Sequence, residues 1–280
     1  QDFPQIPLKV WFEIADLPKS SFYEWKGKLS TLNMKDDHDI QLVREAVEMS
    51  NGCYGYRRVC LELRKQDIIM NHKKVLRIMR ENGLLCTKFH RKSRSYRSFK
   101  GEVGKIANNL VDRDFKVNKL NEVWVSDVTE FKIKGTEKRL YLSPVMDLYN
   151  SEILSFSLST SPTVAFTNQS LERALKKLPK DHQLILHTDQ GFHYQHQSWV
   201  DTLEKNNIKQ SMSRRGNCLD NAPMENFFGL LKQEMYYGET FKSIIELKEA
   251  IIKYIDWYNK KRIKIKLNGL SPVEYRLQAA

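Results

Sequence analysis

Three acids in this chain sit among residues that belong in a core. Asp127 follows Val123 and Val125 at a spacing of two in "EVWVSDVTEFKI", so on a strand it shares a face with two apolar side chains. Asp189 ends the run "QLILHTD", with Gly191 opening the loop behind it. Glu225 lies in "NAPMENFFGLLKQEMY", where Met224, Phe228, Leu231 and Met235 recur at helical spacing as an apolar stripe, and Glu225, Gly229 and Lys232 share the face beside it. Taken alone, Glu225 has a plain explanation. An acid in the first turn of a helix is favoured by the helix dipole, with Lys232 as a solvated partner two turns on. Taken together, three carboxylates that meet at one place need a compensating positive charge. No protein cation is obviously placed to neutralise all of them, and a hard divalent ion with oxygen ligands, ordinarily Mg²⁺, answers that need.

Whether they meet depends on the elements that carry them. From Glu122 the chain turns to branched and aromatic residues at strand lengths, and "EVWVSDVTEFKI", "RLYLSPVMDLY" and "EILSFSLS", separated by Gly135 and Asn150, predict a three-stranded antiparallel meander. A helix from Val164 to Lys177, the strand "QLILHTD", a helix around Ser198 to Asn206, the short strand "IKQSMS" and the Glu225 helix follow in α/β order. Asp220 or Asn221 can cap that last helix, and Pro223 suits its first turn. Three antiparallel strands followed by helix-linked strands is the ribonuclease H-like order. In it the first and fourth strands are neighbours and the last helix crosses their ends, which brings Asp127, Asp189 and Glu225 together. His187 lies on the Asp189 side of its strand, either touching that acid or a phosphate, or satisfied structurally.

Upstream, Ile40, Val43 and Val47 mark a helix, "NGCYGYRR" a turn, and Val59 to Leu63 a second helix. A third opens near Asn71, buries Val75, Ile78 and Met79, sets Lys73, Arg77 and Arg80 on the other face, and stops at Gly83. This is the pattern of a helix-turn-helix reading DNA with its basic third helix, or of a plain bundle with a solvated basic face. "FEIADLPKSSFYEWKGK", broken at Pro18 and capped at Ser20 or Ser21, predicts a second such unit. Between Lys88 and Lys105, Arg91, Lys92, Arg94 and Arg97 alternate with aromatic residues without apolar period, which suits a linker lying along phosphates. Arg214, Arg215 and Asn217, in the loop before the Glu225 helix, are candidate DNA contacts. The run Lys260, Lys261, Arg262, Lys264 and Lys266 is either another contact surface or a solvated face. The division predicted is a helical DNA-binding region over 1–86, a basic linker over 87–117, a catalytic core over 118–240, and a C-terminal helix with a basic tail over 241–280.

Composition agrees with a nucleic-acid partner. The 280 residues carry a net charge of +12, and no run approaches the ~18 apolar residues of a membrane span. Cys53, Cys60, Cys86 and Cys218 form no CxxC pair and are read as reduced thiols of a cytoplasmic protein. His193 and His196 lack the cysteines that would make them a zinc site. Beginning at Gln1 rather than Met, the chain is read as a processed or cloned piece of something longer.

"VWVSDVTEF", "HTDQGFHY" and "SRRGNCLDNAPMENFFGLLKQE", with 35 residues between Asp189 and Glu225 and a lysine seven after the glutamate, resemble the DDE integrase core of bacterial insertion-sequence transposases. The insertion sequence three family, related to retroviral integrases, is the match. "YGYRR" with "NHKKVLRIMRENGL" and "YNKKRIKIKLNGLSPVEYR" resemble that family's flanking segments, so the resemblance spans nearly the whole chain. It implies that Asp127, Asp189 and Glu225 hold two Mg²⁺ per site, with Mn²⁺ able to replace them, and that Lys232 approaches DNA. It also implies cleavage of a phosphodiester at the element's end, attack by the freed 3′-OH on a second one, double-stranded DNA as partner, and a homo-oligomer assembled on it. Members are often fused to an upstream helix-turn-helix and leucine-zipper frame, which is not visible here. Two other classes share these residues. One is a structure-selective nuclease of the same fold; the other is a DNA-binding regulator with an inactive core, against which the three intact acids argue.

Overall fold

In the computed structural model of the chain, residues 7–89, 106–112, 114–214 and 218–279 are described, apart from the side chains of 29–35, 218 and 219. They fall in two compact units, Gln1–Cys86 and Thr87–Ala280.

The first unit is helical: α1 (Leu8–Ile14), α2 (Lys19–Glu48), α3 (Tyr56–Lys65) and α4 (His72–Glu81). Pro18 breaks the chain before α2, but α2 then runs on for 30 residues into the segment of Ile40, Val43 and Val47. The expected second helix-turn-helix unit is therefore absent from the described residues. Beyond Pro18 the helix runs unbroken through Gly27 to Glu48. The start of α2 is also not capped by Ser20 or Ser21, because Pro18 takes the cap position and no side chain bonds there. Farther on, Val43, Ala46 and Val47 of α2 meet Val59 and Leu63 of α3 and Val75, Ile78 and Met79 of α4, all buried. Asn71 caps α4 by accepting a 2.8 Å bond from the Lys73 amide. Gly83, at φ 66°, takes the left-handed turn that ends it.

The second unit is built on a six-stranded sheet of β1 (Val123–Ser126), β2 (Thr129–Lys132), β3 (Arg139–Asp147), β4 (Ile153–Ser159), β5 (Ile185–Thr188) and β6 (Lys209–Met212). The predicted first strand is two. β1 and β2 lie in sequence along one edge of the long β3, with β4 antiparallel on its other edge, and the break between them falls at Asp127 and Val128. From there the sheet becomes parallel, β1 to β5 to β6, as expected of the neighbouring first and fourth strands.

Between the strands stand α5 (Val164–Leu175), α6 (Phe192–Gln195), α7 (Gln197–Lys205) and, after β6, a 3₁₀ turn Cys218–Asn221 that leads into α8 (Ala222–Leu231). A π-turn, Lys232–Tyr236, prolongs α8 before α9 (Ile244–Lys260) and α10 (Pro272–Ala279). Alternation along the strands sorts the core. Val125 and Met146 face Met224, Phe227, Phe228 and Leu231 of α8 and Leu247, Ile251 and Ile255 of α9. Trp124, Val145 and Leu186 face Leu171 of α5, Tyr194 of α6 and Trp199 and Leu203 of α7. The result is a three-layer α/β domain of ribonuclease H-like order.

Two local expectations differ. Asn221 precedes α8 without a side-chain cap bond, and Asp220 turns its carboxylate away to Arg214 and Asn109. The C-terminal basic run is no uniform surface either, since Arg262 is 1% exposed. Asn71→Ala is expected to cost about 1 kcal/mol in denaturant unfolding, the usual value of a lost cap, whereas Asn221→Ala leaves stability unchanged. Equal losses at the two positions would contradict this account of the helix starts.

Candidate active site

The parallel pairing of β1 with β5 sets the site. Its register matches Val125 with His187, and two residues farther along both strands stand Asp127 and Asp189. Neither acid continues its strand, and each is fixed by the backbone just beyond it. Asp127 accepts a 2.7 Å bond from the Val128 amide, and Asp189 a 2.8 Å bond from the Gly191 amide. A Cβ at 191 would come within 2.9 Å of the Asp189 carboxylate, so a larger residue there would push that side chain from its present place.

Both aspartates are half-buried and hold their protons more tightly than ordinary carboxylates. For Asp127 burial is the largest cause, followed by the charge of Asp189, with Glu225 adding to it; the Val128 amide and Lys232 act the other way. For Asp189 burial dominates, opposed by the Gly191 amide and by His193. Glu225 rises from α8 on the exposed side of its stripe, and partial burial alone pushes its pKa up. Beneath the pair, the buried Tyr194 hydroxyl lies 3.4 Å from Ser126 Oγ, raised by burial and then by both aspartates.

The donor set, three carboxylates with one lysine near them, has the hard-oxygen chemistry of a Mg²⁺ site. The orientation of the side chains is open rather than closed. Among the described residues no three His, Cys, Asp or Glu side chains surround a single point; Asp127 and Asp189 form the adjacent pair, and Glu225 faces them from α8.

The residues expected to touch DNA divide into several cases. Lys73, Arg77 and Arg80 share the exposed face of α4, yet Arg77 donates to Glu81 at 2.7 Å and reaches Asp36 at 3.4 Å. Arg214 donates from Nε to Asp220 at 3.0 Å and from its terminal nitrogen to Asp112 at 2.8 Å. Lys232 donates to Thr129 Oγ1 at 2.6 Å and lies 5.1 Å over the Phe131 ring. Arg91, Lys92, Arg94, Arg97, Arg215 and Asn217 lie outside the described residues. His187 takes the structural alternative, its ring joining Ser211 Oγ at 2.8 Å and the Asp220 carbonyl at 2.9 Å. Burial pushes its pKa down. With Asp220 it ties the loop before α8 to the sheet, a job no local pattern announces. Gly191 was visible as a loop opener, but its close approach to Asp189 was not.

Comparison with known proteins identifies the family. Residues 117–218 and 225–279 match models of an integrase core domain, and residues 34–93 match an HTH-like domain. A putative transposase, InsK, for insertion sequence element IS150 of Escherichia coli K12 is 45% identical over 97% of this chain and 94% of its own. Transposase InsF for insertion sequence IS3A of the same bacterium is 30% identical over 97% and 94%. Among solved structures, the HTLV-2 integrase catalytic core domain in complex with magnesium is 20% identical, with a TM-score of 0.45 over 56% of this chain and 97% of that one. No described helix is long and apolar enough to cross a membrane. With full-length bacterial relatives at such identity and an integrase core behind a helix-turn-helix-like region, the chain belongs to the insertion sequence three family of transposases, which are polynucleotidyl transferases.

Proposed function

We propose that the chain cuts phosphodiesters at the ends of its insertion sequence and joins the freed 3′-OH to target DNA, in one site formed by Asp127, Asp189 and Glu225. The observation that carries this reading is the pairing of Asp127 with Asp189 at adjacent strand ends, each anchored by one backbone amide. Two Mg²⁺ ions, replaceable by Mn²⁺, would supply Lewis-acid stabilisation of the attacking and leaving oxygens. The aspartates present oxygens at the ends of the central strands β1 and β5, and Glu225 completes the set from α8. Lys232, tied to Thr129, limits the negative charge around Asp127. Lys73 and Arg80, and Arg77 in smaller measure, engage phosphates of double-stranded DNA from the helical unit. Joining two element ends to one target takes more than one copy of a single-site chain, so a homo-oligomer on DNA follows, working in the bacterial cytoplasm on nucleoid DNA. The residue ranges given above, 1–86, 87–117, 118–240 and 241–280, describe its working parts.

Glu225→Gln keeps helix and volume but removes a charge. Nicking and joining of labelled end-sequence DNA in Mg²⁺ or Mn²⁺ are expected to fall by orders of magnitude while the thermal melt stays parental; a folded mutant that cuts at the parental rate refutes the assignment. Joined products distinguish a transposase from a nuclease that only hydrolyses.

Asp127→Asn tests the charge itself. Because the folded pKa values of Asp127 and Asp189 are raised, their ionisation costs stability above those values, and that cost disappears as pH falls through them. In chelator the variant should melt above the parent at neutral pH, with the gap closing on acidification. A gap that widens on acidification would have the wrong sign.

Lys73→Ala with Arg80→Ala should lower the slope of log affinity against log salt by about two, one for each lost phosphate contact. Arg77→Ala alone should change it less, since that guanidinium is shared with Glu81 and Asp36. Binding that keeps its salt slope in the double variant removes α4 from the DNA surface.

A further inference from the structure

The π-turn after α8 is held by a charge that nothing in the chemistry above uses. Its defining bond runs from the Tyr237 amide to the Lys232 carbonyl, 2.7 Å over five residues, in place of the four-residue spacing of α8. Such turns are uncommon, and they persist where tertiary contacts hold them. Here the contacts come from both sides. Toward the sheet, Lys232 bonds Thr129, and the Tyr236 hydroxyl accepts from the Lys132 amide at 3.0 Å and donates to the Lys132 carbonyl at 2.5 Å. These partners lie on β2, whose first residue is two beyond Asp127. Toward the interior, Glu234 is 5% exposed and buries its carboxylate against the far end of α9. Arg262 Nε donates to it at 2.8 Å and a terminal nitrogen at 2.5 Å, while the Tyr254 hydroxyl donates at 2.8 Å. Arg262 arrives there because the chain turns inward as α9 ends, its amide and that of Lys261 both bonding the Trp257 carbonyl.

A two-pronged guanidinium–carboxylate pair fixes direction as well as distance. We propose that Arg262 is a positioning residue of the carboxylate site: by holding Glu234 in the π-turn it sets how α8 and its extension present Glu225 and Lys232 to Asp127. This rests on the triad reading above. A buried pair of this kind need add nothing to stability. Replacing both partners by neutral ones is often neutral or favourable, whereas removing one strands the other's charge. Positioning and stability are therefore separable by mutation.

The test compares the full chain with Arg262→Met, the double variant Glu234→Gln with Arg262→Met, and Arg262→Lys. Each is followed by thermal melting, by calorimetric titration with Mn²⁺, and by metal-dependent nicking of plasmid carrying the element ends. Arg262→Met alone should lose stability, and the double variant should regain the parental melt because no charge is left stranded. If Arg262 positions the site, the refolded double variant still binds Mn²⁺ about tenfold or more weakly and needs correspondingly more metal to nick, the size expected for loss of a group supporting metal ligands. Arg262→Lys, which keeps the charge without the fork, shows the same weakening in smaller degree. A double variant that melts, binds Mn²⁺ and nicks as the parent does overturns the inference and leaves the triad intact. A parent that neither binds Mn²⁺ nor nicks overturns the triad reading, and this one with it.

Discussion

Like charge held at adjacent strand ends is the constraint around which the second unit is organised. Parallel pairing of β1 and β5 ends just before Asp127 and Asp189 and brings them close together. Unit charges about 4 Å apart near a protein surface repel by about 4 kcal/mol. Hydrogen bonds to charged groups return about 1.5–3 kcal/mol each, so the Val128 and Gly191 amides offset a repulsion of that order. The raised pKa values come chiefly from burial, to which the charge of Asp189 adds at Asp127. Local detail follows from the same need. β1 ends at Ser126 and the Val128 amide meets the Asp127 carboxylate, while a side chain at 191 would crowd that of Asp189.

Features that repeat along one element could be read from the sequence. The stripe of α8, the alternation of β1, the buried face of α4 and the Asn71 cap are all properties of neighbouring residues, and each stands in the structure much as expected. Features that depend on a distant partner could not. Period two carries Asp127 onto the strand, but a carboxylate that bonds the next amide ends the strand instead. Asp220 looks like a helix cap until Arg214 and Asn109 claim it. Pro18 announces a break correctly, while Gly27 in the long run after it makes none. The plainest case is Arg262, one basic residue in a run of five by sequence, yet drawn inside by a glutamate 28 positions earlier. Nothing local distinguishes it from Lys261 or Lys264.

Those cases share a theme that bears on how a basic protein meets DNA. A net charge of +12 draws the chain toward a polyanion, yet several of its cations are already engaged with its own acids. Arg77 bridges Glu81 and Asp36, Arg214 joins Asp220 and Asp112, and Arg262 holds Glu234. Long-range attraction depends on the sum of charges and is indifferent to these pairings. Close contact with a phosphate depends on which cations have donors to spare, and the sum does not reveal that.

Among the described residues, Lys232 is the basic side chain whose charge acts on Asp127. On the proposed reading, lysines or arginines placed against Asp127, Asp189 and Glu225 would quiet the repulsion, but they would also remove the negative charge that would draw a divalent ion. Lys232 is a compromise between these demands. Its ammonium is tethered to Thr129 and rests over Phe131, near enough to lower the pKa of Asp127. On the inference drawn above, the turn that follows Lys232 and the buried pair of Glu234 with Arg262 belong to the same electrostatic arrangement as the acids.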